Sequence, residues 1–421
     1  YKAYFRGVYG DKKMHYPGFM PYSDVEDFDK FVLRSAFNDA IGRNGSGSLL
    51  RDELIRDLHG MMGAPYSHGT WCNLYVNMAY RGIYNIVERM DEEFMESYFP
   101  DEGDDWDVIK TGNDVLVGDS REWNRIGDFI NQNDFSSNAV YEEFGEFVDI
   151  PNYTSYMIVN MWAQNHDWPH NNWYAARPRI EGGKWRFFCW DAEFGISLSP
   201  GGYSSDTFSF VFGRNGRLSD IIDALVDNVG YRRFFRDEVE RYLGGALSPA
   251  STRRRFDELR AAILPDIEDE LDLVGQSRSR WNNNISTMQS FLSNRNSVFR
   301  NHVMSSSRLT VPPDLTPAIR SVTPDEIVNT GDVVVRVRGT RLSRDVQIFF
   351  NGIEGEFVDY HGLIGGLSIR VPFDGALDGP VTMRARNPDA ELDSEPVEGL
   401  FTVALPAPLL TGVQPDVGSA E

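Results

Sequence analysis

Asn165-His-Asp167-Trp-Pro-His170-Asn-Asn172-Trp173, followed at a short interval by Trp190-Asp191-Ala-Glu193-Phe-Gly195, is the stretch that decides how this chain is read. Asn172 stands five residues after Asp167, and the apolar run 185–190 reads as a strand that delivers Asp191, Glu193 and Gly195. A loop Asp beside an acceptor hydroxyl, an Asn five residues on that holds metal, and a strand ending in a metal-binding Asp before Phe-Gly are the parts of a phosphoryl-transfer site, in that order. Taken singly, each residue is better read as a turn or cap, because Asn and Asp favour those positions. The joint order carries the functional reading.

Working outward, 153–164 predicts an apolar helix that feeds the Asp167 loop. Leu49, Leu50, Leu54, Leu58 and Met61 share one face of a predicted helix over 49–62, which Gly63-Ala-Pro65 ends. Strands are predicted over 2–8, 31–34 and 106–110, with a hairpin from 71–77 and 82–87. Short helices fall over 92–99 and 122–132. Two long helices are expected over 218–247 and 252–273, and a last one over 281–304.

After 304 the composition changes. Residues 305–316 are a linker by their Ser and Pro content. Short β-rich runs then alternate with Gly, Asp, Asn and Pro turns, which predicts a β-sandwich over 317–405. The segment from Pro408 to Pro415 repeats the pattern from Pro317 to Pro324 at a spacing of 91 residues. A second copy is therefore expected to start over 406–421.

A length of 421 residues implies two or three domains, and 41% hydrophobic content is enough to fill their cores. The net charge of −22 argues against nucleic acid and anionic membranes as partners, since phosphate backbones are bound by clustered Lys and Arg. No run approaches the ~18 apolar residues that span a bilayer. Cys72 and Cys189 each lie in an apolar, strand-like run and are read as buried free thiols rather than a disulfide. His166 and His170 are four apart, but Pro169 prevents a regular helix between them, so a loop-ordering hydrogen bond is preferred to a zinc site.

Several segments together resemble the spore-coat-protein-H (CotH) kinase family: Phe31-Val-Leu-Arg-Ser-Ala-Phe-Asn-Asp39, Leu50-Arg-Asp-Glu-Leu54, Asn73-Leu-Tyr-Val-Asn77, Tyr80-Arg-Gly-Ile-Tyr-Asn-Ile-Val-Glu88, Asp149-Ile-Pro-Asn-Tyr153, Asn165-His-Asp167, Asn172-Trp-Tyr174 and Trp190-Asp-Ala-Glu-Phe-Gly195. The resemblance covers about 1–304. Ala318-Ile-Arg-Ser-Val-Thr-Pro324, Val335-Arg-Val-Arg-Gly-Thr340 and Phe349-Phe-Asn-Gly352 resemble an immunoglobulin-like IPT/TIG domain. The implied fold class is α+β: an atypical two-lobed protein-kinase-like domain followed by an immunoglobulin-like β-sandwich.

The resemblance implies a secreted or cell-surface protein kinase that uses ATP with Mg²⁺ or Mn²⁺ and acts on Ser/Thr of surface, matrix or secreted proteins. Asp167 would be the catalytic Asp. Asn172 and Asp191 would ligate metal, with Asp191 also catalytic. Glu193 stands where the family commonly has a second Asp; a carboxylate is kept for metal, on a longer arm. Lys2 falls where the family has a strand Lys for the α/β-phosphates, with Glu53 as its ion-pair partner although Asp52 is adjacent. Glu88 would meet the adenine amino group. The strand pair that should cover the nucleotide lies upstream of Lys2 and is not in this chain.

Two other functions suit parts of the same sequence. One is a catalytically silent, kinase-like surface, adhesion or matrix protein with sandwich domains as spacers. The other is a carbohydrate-active enzyme that pairs Asp167 with Asp191 or Glu193 among tryptophans, which requires an open aromatic groove.

Overall fold

The computed structural model describes residues 1–43, 45–311, 316–342, 344–361, 366–375, 377–388 and 392–406. The fold is α+β, in two units, Tyr1–Val311 and Pro312–Glu421. Nearly all of the repeat expected over 406–421 lies outside the described residues. Among the described residues no helix is long and apolar enough to cross a membrane.

The first unit holds two four-stranded antiparallel sheets and a helical body. Its strands are β1 (Lys2–Tyr4), β2 (Met14–His15), β3 (Asp27–Phe28), β4 (Lys30–Arg34), β5 (Gly69–Val76), β6 (Ala79–Val87), β7 (Trp106–Lys110), β8 (Asp114–Val117), β9 (Trp173–Pro178) and β10 (Arg186–Cys189). One sheet runs β1-β4-β6-β5 and the other β10-β9-β7-β8, with β2 and β3 as a separate ribbon. The helices are α1 (Arg51–Met61), α2 (Glu92–Tyr98), α3 (Arg121–Gln132), α4 (Asn138–Phe144), α5 (Ile150–Trp162), α6 (Thr207–Val211), α7 (Arg217–Leu225), α8 (Val229–Gly244), α9 (Pro249–Ile263), α10 (Ile267–Val274) and α11 (Arg278–Ser305).

Helix α5 is buried on nearly every side, as its almost wholly apolar sequence requires. It starts three residues earlier than periodicity suggested. The Asp149 side chain accepts from the Asn152 amide at 3.0 Å, and Pro151 occupies the first turn, where a missing N–H costs nothing. At its other end the last carbonyls are taken by Arg295 of α11, which is fully buried and donates to Met161 at 2.9 Å and Trp162 at 2.8 Å. The same guanidinium reaches the carbonyls of Tyr203 and Ser205, each at 2.7 Å. One side chain thus ties the mouth of the Asp167 loop to the segment after Gly195.

Each of the two long helices expected from periodicity is broken. Asn228 separates α7 from α8 because its side chain caps the Tyr231 amide at 3.0 Å. Pro265 interrupts the second within a 3₁₀ turn, Leu264–Asp266, before α10. Both cysteines are free, with Cys189 buried.

The second unit is β-rich. Ala318–Thr323, Val334–Thr340, Leu367–Arg370 and Glu356–Tyr360 form one sheet in that order. Gln347–Phe350 and Met383–Asn387 form the centre of another. Strict alternation sends Val335, Val337, Ile348, Phe350, Met383 and Ala385 into a common core, while Arg384 and Arg386 face water.

Candidate active site at the junction of the two sheets

The β9–β10 ribbon carries the residues singled out from sequence. Trp173 pairs with Cys189, so Asn172 enters and Asp191 leaves at the same end of the ribbon. Both have left-handed backbones, with φ of 61° at Asn172 and 54° at Asp191. Asn and Asp tolerate that conformation better than other side chains do.

Asp167 sits on the loop before this end. Its carboxylate accepts from the side-chain Nδ2 of Asn171 at 3.1 Å and of Asn172 at 2.9 Å, and His170 Nε2 lies 3.6 Å away. His166 instead meets Ser205 Oγ at 3.2 Å and packs on Phe210, which is the loop-ordering role.

The turn after Asp191 packs tightly on α1. The Ala192 amide donates to Asp52 at 2.8 Å. A side chain at Gly195 would put its Cβ 2.9 Å from the Ala163 carbonyl and 3.0 Å from Ile55, so only glycine permits this approach.

Arg34, at the end of β4, joins the two sheets. Its guanidinium bonds Asp191, reaches Glu193 at 2.7 Å and Asp52 at 3.3 Å, and lies 4.8 Å from the centre of the Trp190 ring. Asp52 is also held by Arg56 at 3.1 Å. Burial alone would raise the Asp52 pKa, but Arg34 and Arg56 outweigh it and hold the group below the usual carboxylate range. Glu193 is pushed up to about 7 by burial and by neighbouring Asp191 and Asp52, against the pull of Arg34.

Three sequence expectations meet other partners in this geometry. The Lys2–Glu53 ion pair does not form. Lys2 is exposed on β1, and Glu53 is buried against Arg56 and Asn85. The cation that meets the α1 acid is Arg34, and the acid is Asp52. Glu193 has both carboxylate oxygens engaged by protein groups. Its longer arm reaches back to the β4–α1 turn, where Oε2 accepts from the Asn38 amide at 2.7 Å while Arg34 takes Oε1. Glu88 has internal partners: its buried carboxylate accepts from Tyr98 at 2.8 Å and from the His68 amide at 3.0 Å. Its carbonyl accepts from Ser67 and its amide donates to His68.

Lys2 nonetheless shares a face with Arg34. It pairs with Val32, two residues before Arg34 on β4. Arg89, just past β6, reaches Tyr4 on the same strand as Lys2, at 3.3 Å. The cations on this side of the sheet are matched by carboxylates: Arg89 lies 3.4 Å from Asp91, and Lys30 meets Asp29, Asp91 and Glu93.

The donor set suits a magnesium–nucleotide pair. Asn172 uses its Nδ2 on Asp167, which leaves its carbonyl oxygen as a donor, and Arg34 engages only Oδ1 of Asp191. Mg²⁺ takes one or two protein oxygens and completes its shell with phosphate and water. Among the described residues, no group of three or more His, Cys, Asp and Glu side chains gathers to hold a metal. The tryptophans are no sugar platform: Trp162, Trp168, Trp173 and Trp185 are buried, and Trp190 lies against Arg34.

The model of the CotH kinase protein family matches residues 9–299, and this chain belongs to that family. No curated protein matches. Among solved structures, a candidate phosphatase from Bacteroides thetaiotaomicron VPI-5482 is 15% identical over 21% of this chain and 18% of that one, with a TM-score of 0.17. A likeness that slight carries no argument about fold or activity.

Proposed function

We infer that the first unit is a metal-dependent phosphotransferase that moves the γ-phosphate of ATP to Ser or Thr hydroxyls of proteins outside the cytoplasm. The observation that carries this reading is the shared end of the β9–β10 ribbon, where Asn172 is held on Asp167 and Asp191 on Arg34. Asp167 accepts the hydrogen bond of the incoming hydroxyl and orients it for in-line attack. Asn171 and Asn172 fix that carboxylate in place. Asn172 and Asp191 would hold the divalent cation, which neutralises charge on the transferring phosphate. Lys2 and Arg34 supply positive charge to the nucleotide phosphates.

The acceptor class and the extracytoplasmic setting rest on family membership. The second unit fits an immunoglobulin-like spacer of the IPT/TIG kind, a reading supported by its alternating core and short strands. The test is transfer from γ-labelled ATP with Mg²⁺ or Mn²⁺, beside Asp191→Ala and Asp167→Asn, with phosphosites mapped by mass spectrometry. Incorporation lost in both variants supports the kinase. Equal incorporation in wild type and Asp191→Ala would sink it. A folded wild type that binds neither ATP nor metal would instead favour the silent surface protein.

A further inference from the structure

We propose that Arg34 is the phosphate-positioning residue of this site and also the cap on Asp191, so that nucleotide and divalent metal bind cooperatively through the transfer of one guanidinium. The inference rests on the phosphotransfer reading above and deepens it. Arg34 faces three carboxylates: Asp52 on α1 at 3.3 Å, Glu193 at 2.7 Å and Asp191. These three differ in what else holds them. Asp52 keeps Arg56 and the Ala192 amide, and Glu193 keeps the Asn38 amide. Among the described residues Asp191 has neither kind of anchor, and it is the most exposed of the three, at 36% of its side chain. It is the partner Arg34 gives up most cheaply.

A planar guanidinium bonds a phosphate through two parallel N–H groups, as it bonds a carboxylate. Phosphate oxygens reaching Arg34 would compete with Asp191 for Nη2, while Nε stays on Asp52. The Asp191 carboxylate is then freed toward the cation. Until that exchange, a cation must displace Arg34 to use Asp191, so metal alone binds weakly. Exposed Lys2, on the same face as Arg34, adds a second cation that an incoming phosphate would meet.

The probe is Mn²⁺, followed on the full chain by loss of the free-ion electron paramagnetic resonance signal, with and without ADP. In wild type, ADP should tighten Mn²⁺ binding by about tenfold or more. Arg34→Gln should bind Mn²⁺ alone about tenfold more tightly than wild type, because three carboxylates lose their shared cation, and should bind ADP correspondingly more weakly. Arg34→Lys keeps the charge but cannot span Asp52 and a phosphate with a fork, and should fall between.

Weaker metal-alone binding in a folded Arg34→Gln, or unchanged ADP affinity, would overturn the proposal while leaving the kinase reading intact. Should neither variant fold, wild type still decides: tight Mn²⁺ binding that ADP does not alter rules the cap out. Wild type that binds neither probe removes the proposal and the phosphotransfer reading together.

Discussion

The side-chain amide of Asn172 donates to the carboxylate of Asp167 at 2.9 Å, so two residues five apart in sequence form one unit at the ribbon end. The bond fixes which Asn172 atom is left for a cation: the carbonyl oxygen. Asn172→Ala should therefore cost twice, in metal affinity and in the aim of Asp167. Transfer from labelled ATP should fall by roughly 100-fold or more, and the melting temperature should drop by a few degrees, because Ala at the left-handed backbone of residue 172 is strained by roughly 1 kcal/mol.

Arg295 is predicted to be the stability hinge of the site. It is fully buried, and desolvation lowers its pKa to about 10 against a weak pull from Asp206. Arg295→Met keeps the volume but strips the carbonyls of Met161, Trp162, Tyr203 and Ser205 of their donor. Urea unfolding should show a loss of at least about 3 kcal/mol, since each orphaned buried acceptor costs about 1–3 kcal/mol. A loss below about 1 kcal/mol would mean that water replaces the guanidinium.

His59 on α1 should govern part of the acid limb of stability. It is fully buried, and desolvation depresses its pKa to about 3 from 6.5. The unfolded chain therefore binds a proton that the folded chain refuses. The His59 contribution is complete above pH 6.5 and is lost as pH falls from there toward 3, at up to about 1.4 kcal/mol per pH unit. Glu193 and Asp91 act in the opposite sense, because burial raises them to about 7 and about 6. Their contributions are complete below the unfolded values and are lost as pH rises through the folded ones. The observable is hence a difference: His59→Phe should flatten the decline between pH 6.5 and 4 relative to wild type.

The two units have separate cores, one centred on α1, α5 and α11 and the other on Val335, Ile348 and Met383. Limited proteolysis should leave a stable fragment that retains Leu309, which is buried in the first core, with two calorimetric transitions in the intact chain. A single transition unchanged by the cut would show that the units fold as one.

Much of this was legible without coordinates. The Asp167–Asn172 spacing, the strand before Asp191 and the α1 and hairpin segments are local patterns, and local patterns survive in sequence because helix and strand periods are short-range properties. The β-rich unit could be read for the same reason, through the alternation around Val335 and Met383. What sequence could not supply is which charges meet. Arg34 is 157 residues from Asp191, and nothing between them signals the contact. Lys2 and Glu53 had the right residue types for an ion pair, yet Arg56 lies one helical turn from Glu53 and claims it. Glu88 looked available until α2 brought Tyr98 against it. Sequence determined the elements and the ribbon that carries Asn172 and Asp191. Tertiary packing chose the partners, because a buried charge must be compensated by whichever opposite group the fold brings within about 4 Å, however distant in the chain.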